Sequence, residues 1–461
     1  MNEKIAVEII FIISIIIMLF LILRRPFFYI RLLNRKVKLD TYIIGSFLAP
    51  ALIIIFGLIN YSQIIRGLSG EGSLNPFGIL ILFLSMVFLS IYLDITGFFE
   101  YCARLALNIS KNNGKLLFFS FYFIISFLTI FTSNDIIILT FTPFIYYFTK
   151  HAGIDPIPYL IAEFFAANTW SMMLYIGNPT NIVLASAFQI DFIEYFKWMF
   201  IPTVLAGLVN LTLLYLVFRR RINIIIKQEG TMHPTDALTD KTGAIIGVFV
   251  LFSCIVALAV APYFNVELWF ISLGFALALL IILIIRESFA GLIRKNINLE
   301  KLSFTKTFRR MPLGIIPFVL AMFISVEALR IYGVTSDIGN FFKVIINQST
   351  TINVFLFGFS SAFSANIVNN IPMTVAYVPI IETSSNILNL PGIFATIVGS
   401  NLGANITPIG ALAGIMWLTI LRNKDVNFTF KKFIKYGLII TPLTLLICLG
   451  VLAIEFILLG A

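Results

Sequence analysis

Two short polar clusters interrupt long apolar stretches of this sequence and carry side chains that can bind a solute. Ser133, Asn134 and Asp135 form the first cluster, and Asn369 and Asn370 form the second. Their hydroxyl, amide and carboxylate groups can exchange hydrogen bonds with a solute, and Asp135 can also carry a proton. Such residues also cap helices. An ionisable side chain within an apolar span is by default functional, so the two clusters predict a solute or ion site.

A second pair of clusters combines helix-breaking residues with amides and hydroxyls. The first occupies residues 177–181 and the second residues 400–408. Their candidate solute-binding side chains are Asn178, Thr180, Asn181, Asn401, Asn405 and Thr407. Glycine and proline end helices, and the polar groups around a break can replace water around an ion or a hydroxylated solute. Two such breaks predict discontinuous helices that line a transport path.

Glu163 is a second candidate for proton coupling beside Asp135. It precedes the break at Gly177 within an apolar stretch and has no basic residue nearby in sequence. The two histidines, His151 and His233, fall in predicted cytoplasmic loops without a cluster of carboxylates. General acid and base catalysis usually needs histidine or paired carboxylates, so we expect no enzyme, no metal site and no cofactor.

The composition indicates the elements that must hold these residues. The chain has 461 residues, of which 59% are hydrophobic and 12% are charged. A helix that crosses a bilayer needs about 20 largely apolar residues. Uninterrupted stretches of this kind run over residues 5–23, 42–59, 77–93, 202–218, 243–261, 268–285, 313–329 and 436–454. The sequence therefore predicts an all-α, polytopic membrane protein.

The basic residues predict the orientation of these spans. Most Lys and Arg residues fall in alternate loops, which the positive-inside rule assigns to the cytoplasm. The exceptions are Lys4, Arg66, Lys197, Arg330 and Lys343. This distribution places both termini outside the cytoplasm of a plasma (inner) membrane. It also explains the net charge of +10 without a nucleic-acid partner.

Two interrupted segments are predicted to be re-entrant hairpins. Residues 116–148 are too short for two full spans, and basic residues flank them on what should be one side of the membrane. Residues 352–381 are the second hairpin, expected to insert from outside. The same spacing separates Asn134 from Pro143 and Asn370 from Pro379, which indicates an internal repeat.

These features predict two inverted repeats with about ten crossings and two opposed hairpins. The predicted division has an N-terminal helix and a basic cytoplasmic loop at 1–40, a first repeat at 41–221, a linker and connecting helix at 222–267, and a second repeat at 268–461. Inverted repeats of secondary transporters place the solute at their interface near the bilayer midplane. A secondary transporter is therefore the leading hypothesis.

Several motifs resemble the arsenite efflux pump (ArsB) branch, or ArsB-NhaD branch, of the ion transporter superfamily, over most of the chain. They are Leu93-Asp94 with Gly97 to Glu100, Asn134-Asp135 followed by Leu139-Thr140 and Thr142-Pro143, Asn178 to Ile182 with Ile193 to Tyr195, Asn369-Asn370 before Pro372, and Ile406 to Gly410 through Leu412 to Trp417. The resemblance implies two inverted repeats and export of trivalent arsenic or antimony hydroxide driven by protons. It also implies a soluble ATPase partner in some members.

The chain departs from the arsenite pump pattern at four positions. Typical pumps have aspartate where this chain has Asn168 and Asn401, and proline and lysine where it has Ala404 and Asn405. The changes leave a neutral site that could hold a metalloid hydroxide by hydrogen bonds, or a sodium ion, or an oxyanion at helix N-termini.

Two transport functions follow from these observations. The leading hypothesis is exchange of trivalent arsenic or antimony hydroxide for protons by alternating access. A sodium/proton antiporter or a sodium-coupled inorganic or organic anion transporter is the alternative. The expected partners are a small inorganic solute, protons or sodium, and the lipid bilayer, and a soluble ATPase and a homodimer are left open.

Overall fold

Helices make up nearly all of the computed structural model, which describes residues 3–24, 27–32, 35–69, 75–226, 233–294, 303–424, 426 and 428–459. The helices of the first half are α1 (Glu3–Arg24), α2 (Thr41–Ser46), α3 (Leu48–Ile55), α4 (Tyr61–Ser69), α5 (Pro76–Ile95), α6 (Phe98–Ser110), α7 (Gly114–Phe131), α8 (Asn134–His151), α9 (Ile157–Trp170), α10 (Pro179–Ala187) and α11 (Phe192–Phe218). The helices that follow are α12 (Lys241–Val260), α13 (Leu268–Arg294), α14 (Ser303–Arg310), α15 (Ile315–Ile331), α16 (Val334–Ile346), α17 (Thr350–Val368), α18 (Asn370–Ser384), α19 (Leu390–Gly403), α20 (Leu412–Asn423) and α21 (Phe430–Leu459).

The prediction of an all-α, polytopic membrane protein is confirmed. The described residues contain nine helices that are long and apolar enough to cross a membrane. The structure adds an antiparallel hairpin of β1 (Phe27–Leu32) and β2 (Arg35–Asp40), which lies in the predicted basic loop. Short 3-10 turns occupy Tyr175–Gly177, Pro234–Ala237 and Ala261–Phe264. The count of ten crossings stays a prediction.

The order of elements from α5 to α11 recurs from α15 to α21. In both series a long helix is followed by a short amphipathic helix, a helix pair, a broken pair and a long helix. Gly97 and Gly333 precede the amphipathic helices α6 and α16 in the same left-handed conformation. At Gly97 a Cβ atom would lie 2.0 Å from the Ala237 carbonyl oxygen, so only glycine fits. The predicted repeat limits and their opposite orientation stay predictions.

The two predicted hairpins correspond to the helix pairs α7–α8 and α17–α18. Asn113 caps α7 by accepting hydrogen bonds from the Lys115 and Leu116 amides, and Ser349 caps α17 through the Ile352 amide. The breaks between the paired helices fall at the polar clusters that the sequence singles out. The side from which each pair inserts stays a prediction.

Packing between the two series brings the breaks together. Helix α10 packs against α18, and α20 packs against α8, so each helix pair contacts the broken helix of the other series. Helices α12, α13 and α14 cover α5, while α2, α3 and α4 cover α15. Residues 227–232 of the predicted linker lie outside the described residues.

Candidate functional site

The break between α9 and α10 is held by short-range hydrogen bonds. Asn178 precedes Pro179 at the start of α10, and its side-chain oxygen accepts from the Thr180 amide at 3.2 Å. Asn181 donates through Nδ2 to the carbonyl oxygens of Ser171 at 2.9 Å and Leu174 at 3.2 Å. These bonds satisfy backbone groups that water cannot reach at membrane depth. The break therefore has a fixed conformation in which its backbone groups are hydrogen-bonded.

Asn401 joins this break to the second series, through a group of side chains that we call the amide crosslink (Asn178, Asn181 and Asn401). Asn401 Oδ1 accepts from Asn178 Nδ2 at 2.8 Å and from the Ser171 hydroxyl at 3.0 Å. Its Nδ2 donates to Asn181 Oδ1 at 2.8 Å and to the Ile397 carbonyl oxygen at 2.9 Å. Beside it, the Ser400 hydroxyl donates to Thr180 Oγ1 at 3.1 Å. All three amides are buried.

A second group, which we call the amide chain (Asn134, Asn168 and Asn405), links the first hairpin to the second break. Asn134 Nδ2 donates to Asn168 Oδ1 at 2.9 Å. Asn168 Nδ2 in turn donates to Asn405 Oδ1 at 3.1 Å. Each of the three residues comes from a different element, namely α8, α9 and the segment after α19. The amide chain therefore connects the tip of α8, in the first series, with the second break, in the second series.

The second break is held by Asn366, a residue that the sequence analysis missed. Its Oδ1 accepts from the Thr407 amide at 3.0 Å and from the Thr407 hydroxyl at 2.7 Å. Its Nδ2 donates to the carbonyl oxygens of Ala362 and Gly403, each at 2.8 Å. Asn366 lies in the last turn of α17, four positions before Asn370, and an asparagine so close to the polar break is the signal that could have identified it.

The tip of the second hairpin has a strained backbone at Asn369. Its φ of +75° and ψ of 151° lie in a region that is essentially restricted to glycine. Asn369 Nδ2 donates to the Ile409 carbonyl oxygen at 2.9 Å, and the Asn370 amide donates to the Gly410 carbonyl oxygen at 3.0 Å. These bonds attach the tip to the second break and hold the strained conformation.

We expect glycine to be a better replacement than alanine at Asn369. Both variants lose the bond to Ile409, but only the alanine variant keeps a Cβ atom in the strained conformation. The alanine variant should therefore be less stable than the glycine variant by about 1–3 kcal/mol, the usual cost of such strain. Within helices the order is the reverse. Thermal unfolding of both purified variants measures the difference.

Ser133 at the first hairpin provides the matched control. Its φ of −107° and ψ of 141° are ordinary extended values. Replacement by glycine there should give no advantage over replacement by alanine. An alanine variant of Asn369 that is as stable as the glycine variant would contradict the assignment of strain.

Asp135 follows the amide chain in the first turn of α8. It is half-buried, and among the described residues its carboxylate has no hydrogen-bond or ion-pair partner. Its backbone amide donates to Asn134 Oδ1 at 2.9 Å. The buried hydroxyl of Ser133 also lacks a partner among the described residues. A carboxylate with no partner beside buried polar groups can exchange protons without breaking a salt bridge.

Glu163 lies on α9 and is fully buried, with its carboxyl group facing α8 and α20. Its Oε1 accepts from the Thr142 hydroxyl at 2.7 Å, and its Oε2 has no partner within the described part of the chain. The Trp417 indole lies beside the same carboxyl group, and its N–H is also without a hydrogen-bond partner there. An ionised carboxylate in such a place would be costly, so the site favours a carboxyl group that holds a proton.

A cavity of about 950 Å³ lies between the end of α5, α6 and the second half of α8. Asp94, Glu100 and Arg104 line this cavity. Asp94 forms an ion pair with Arg310, and Glu100 forms one with Arg104. None of the predicted solute-binding side chains lines it. Thr140 lines the cavity and is its α8 residue nearest in sequence to the hairpin tip.

The structure brings five of the eleven predicted solute-binding residues together, in two groups. Asn178, Asn181 and Asn401 meet in the amide crosslink, and Asn134 and Asn405 meet through Asn168 in the amide chain. Asn168 differs from the arsenite pump pattern but is absent from the predicted solute-binding set. A single asparagine within the apolar stretch 157–176 was the available signal.

The described residues contain no group of three or more His, Cys, Asp or Glu side chains that could hold a metal ion. The carboxylates near the site lie on separate helices, and Glu163 pairs with a threonine rather than with another carboxylate. The side chains of the amide crosslink and of the amide chain are all asparagine amides, which can exchange hydrogen bonds with a solute.

Comparison with known proteins supports the resemblance seen in the sequence. The chain is 27% identical over 382 residues to an arsenical pump membrane protein of Escherichia coli, with 81% of this chain and 85% of that protein covered. It is 26% identical to a putative arsenical pump membrane protein of Bacillus subtilis, with 82% and 88% covered.

A solved structure shows the same overall fold. The YdaH transporter of Alcanivorax borkumensis superposes over 100% of this chain and 99% of its own with a TM-score of 0.57, at 13% sequence identity.

Residues 2–392 match the sequence model described as citrate transporter, CitMHS. The relatives are membrane transporters rather than enzymes, and the apolar helices agree with a multi-pass protein of the inner membrane. The chain belongs to the CitMHS citrate transporter family, within the ion transporter superfamily.

Proposed function

We propose that this protein exports trivalent arsenic or antimony hydroxide in exchange for protons. The observation that carries the proposal is the set of uncharged, hydrogen-bonded amides at which the two series meet, with the Asp135 carboxylate beside them. Among the described residues, the side-chain hydrogen bonds of the amide crosslink and the amide chain involve amides, hydroxyls and backbone groups, with no charged side chain. A neutral hydroxide needs hydrogen bonds and no counter-charge. The arsenical pump relatives support the same solute.

Alternating access completes the proposed mechanism. The hairpins α7–α8 and α17–α18 insert from opposite sides, in a chain of about ten crossings with both termini outside the cytoplasm. Movement of one bundle against the other exposes the site to each side in turn. The cross-packing of α10 on α18 and of α20 on α8 supports this proposal, because it couples each tip to the other series.

Asp135 is the proposed proton carrier, and Glu163 is the proposed second group on the proton path. Asp135 lies next to the amide chain, so its charge is felt where the solute binds. Glu163 contacts Thr142 on α8 and lies beside Trp417 on α20, so its protonation can alter how these helices pack. Protons entering and leaving these carboxyl groups would drive the exchange.

Glu163→Gln should reduce proton-driven transport by about tenfold or more if Glu163 relays protons. Glutamine has the same shape and keeps an oxygen that accepts from Thr142, so packing is retained while the titrating group is lost. The variant is measured in vesicles with an imposed proton gradient. Glu163→Asp, which keeps a titrating group, should recover part of the rate. Unchanged proton-driven transport by the glutamine variant would assign Glu163 a structural role only.

A sodium-coupled anion transporter is the second candidate function. The match to the citrate transporter family supports it, as do the N-termini of α8, α10 and α18 near the breaks, since helix N-termini attract anions. Sodium-dependent transport of citrate without transport of metalloid would favour this candidate. A soluble ATPase partner and a homodimer stay open under both candidates.

Metalloid export is tested in cells that lack their own arsenite efflux. Expression of the wild-type protein should lower the arsenic content of cells exposed to arsenite, and Asn134→Ala should not, because it removes the first member of the amide chain. Equal expression in the membrane is checked by immunoblot. Equal arsenic content in cells with wild-type protein and with empty vector would reject the proposal.

A further inference from the structure

Backbone groups fix the orientation of the first two members of the amide chain. Asn134 Oδ1 accepts from the Asp135 amide, so its Nδ2 must be the atom that faces Asn168. Asn168 Nδ2 donates to the Phe164 carbonyl oxygen at 3.3 Å as well as to Asn405 Oδ1. A backbone N–H only donates and a carbonyl oxygen only accepts. Neither amide can therefore be turned over without breaking these bonds.

This direction leaves one donor unused at the end of the amide chain. Since Asn405 accepts through Oδ1, its Nδ2 is the free end, and that atom has no hydrogen-bond partner among the described residues. Asn405 is 1% exposed. Rotation of the Asn405 side-chain amide by half a turn would place its Nδ2 against Asn168 Nδ2, so that two N–H donors would face each other. A buried donor without a partner is unfavourable, so an acceptor placed at Asn405 Nδ2 would be stabilising.

The amide crosslink shows no such free donor. Asn401 and Asn181 use both polar atoms of their side chains, and Asn178 accepts from the Thr180 amide and donates to Asn401. These amides therefore hold the two breaks together, and a solute could bind them only by displacing existing bonds. The free donor at Asn405 differs from them in this respect.

We propose that Asn405 selects the solute by donating a hydrogen bond from Nδ2 to a solute oxygen. The solute is therefore an oxygen-bearing molecule that accepts hydrogen bonds, such as a neutral metalloid hydroxide or a carboxylate. A bare cation needs ligand oxygens and gains nothing from an N–H group. This inference rests on the proposed function only in placing the solute at the meeting point of the two breaks.

The test compares two isosteric variants of the full-length protein in lipid nanodiscs. Asn405→Asp keeps an oxygen that accepts from Asn168 but replaces the free donor by a second oxygen. Asn210→Asp is the matched control. Asn210 is also 1% exposed, and its Nδ2 has no partner among the described residues, but it lies in α11, outside the amide chain. Binding of arsenite, citrate and sodium is measured separately by equilibrium dialysis.

We expect wild-type protein to bind an oxygen-bearing probe and Asn405→Asp to bind it about tenfold more weakly or worse at about pH 8, the ratio expected for one buried hydrogen bond. Acidification protonates the introduced carboxylate and restores a donor, so the ratio of variant to wild-type affinity should then recover. Asn210→Asp should bind like wild type. Asn405→Ala, which removes the donor without adding charge, should also bind weakly and serves if the aspartate variant does not fold.

Unchanged affinity for the oxygen-bearing probe in both Asn405 variants would overturn the inference. Failure of folded wild-type protein to bind either arsenite or citrate would also overturn it, whether or not the protein binds sodium. Wild-type protein that binds citrate but not arsenite, with loss in Asn405→Asp, would support the donor role and reject the metalloid. Metalloid export that is unaffected in Asn405→Asp would leave the proposed function standing and reject the inference.

Discussion

Asn401→Leu should lower the free energy of unfolding by about 3 kcal/mol or more and abolish transport, because it removes the centre of the amide crosslink. The leucine would leave Asn178 Nδ2 and Asn181 Oδ1 buried without partners and would remove an acceptor of the Ser171 hydroxyl. Each unmet buried group costs about 1–3 kcal/mol. Unfolding of the purified protein in nanodiscs and uptake into vesicles measure the two effects.

Asn210→Leu is the matched control for this prediction. Asn210 is as buried as Asn401, but neither its Oδ1 nor its Nδ2 has a partner among the described residues. Replacement by an apolar group of similar size should therefore be neutral or stabilising. Equal destabilisation by the two leucine variants would show that the hydrogen bonds of Asn401 do not hold the two breaks together.

Asp135→Asn should reduce solute accumulation driven by a proton gradient to the level seen without a gradient. The asparagine has nearly the same shape but cannot carry a proton. Exchange of labelled for unlabelled solute needs no net proton movement, so it should continue in the variant. Both rates are measured in the same preparation of vesicles, and their ratio separates coupling from folding.

Asp191→Asn is the control for the charge change. Asp191 also lies at the start of a helix, where it is exposed before the first turn of α11 and makes no capping bond with its side chain. This variant should keep both rates. Full proton-driven accumulation by Asp135→Asn would remove Asp135 from the proton path and leave Glu163 as the remaining candidate.

The polar breaks could be predicted because they stand out in an apolar sequence. Residues 133–135 and 369–370 interrupt stretches that would otherwise be continuous, and the structure ends α7 and α17 near these clusters. The same spacing of Asn134 from Pro143 and of Asn370 from Pro379 predicts a repeated helix pair, and the order of elements agrees with it. An apolar stretch and the residues that break a helix are both local features of the sequence, so they can be recognised without knowledge of tertiary contacts.

The partners of the site amides could not be predicted, because they depend on tertiary packing. Asn168 and Asn405 are 237 positions apart, and nothing in either neighbourhood pairs them. Sequence spacing also cannot distinguish an amide with all its hydrogen bonds made, such as Asn401, from one with a free donor, such as Asn405. The β1–β2 hairpin was missed because its basic residues also suit a cytoplasmic loop.

The central claim is most directly tested by uptake of trivalent arsenic into everted vesicles with an imposed proton gradient, with and without sodium. We predict accumulation that needs the gradient, does not need sodium and is lost in Asn134→Ala and Asn370→Ala. The vesicles are checked for folded protein and for orientation. Absence of arsenic movement in such vesicles, with sodium-dependent uptake of an anion instead, would contradict metalloid/proton exchange.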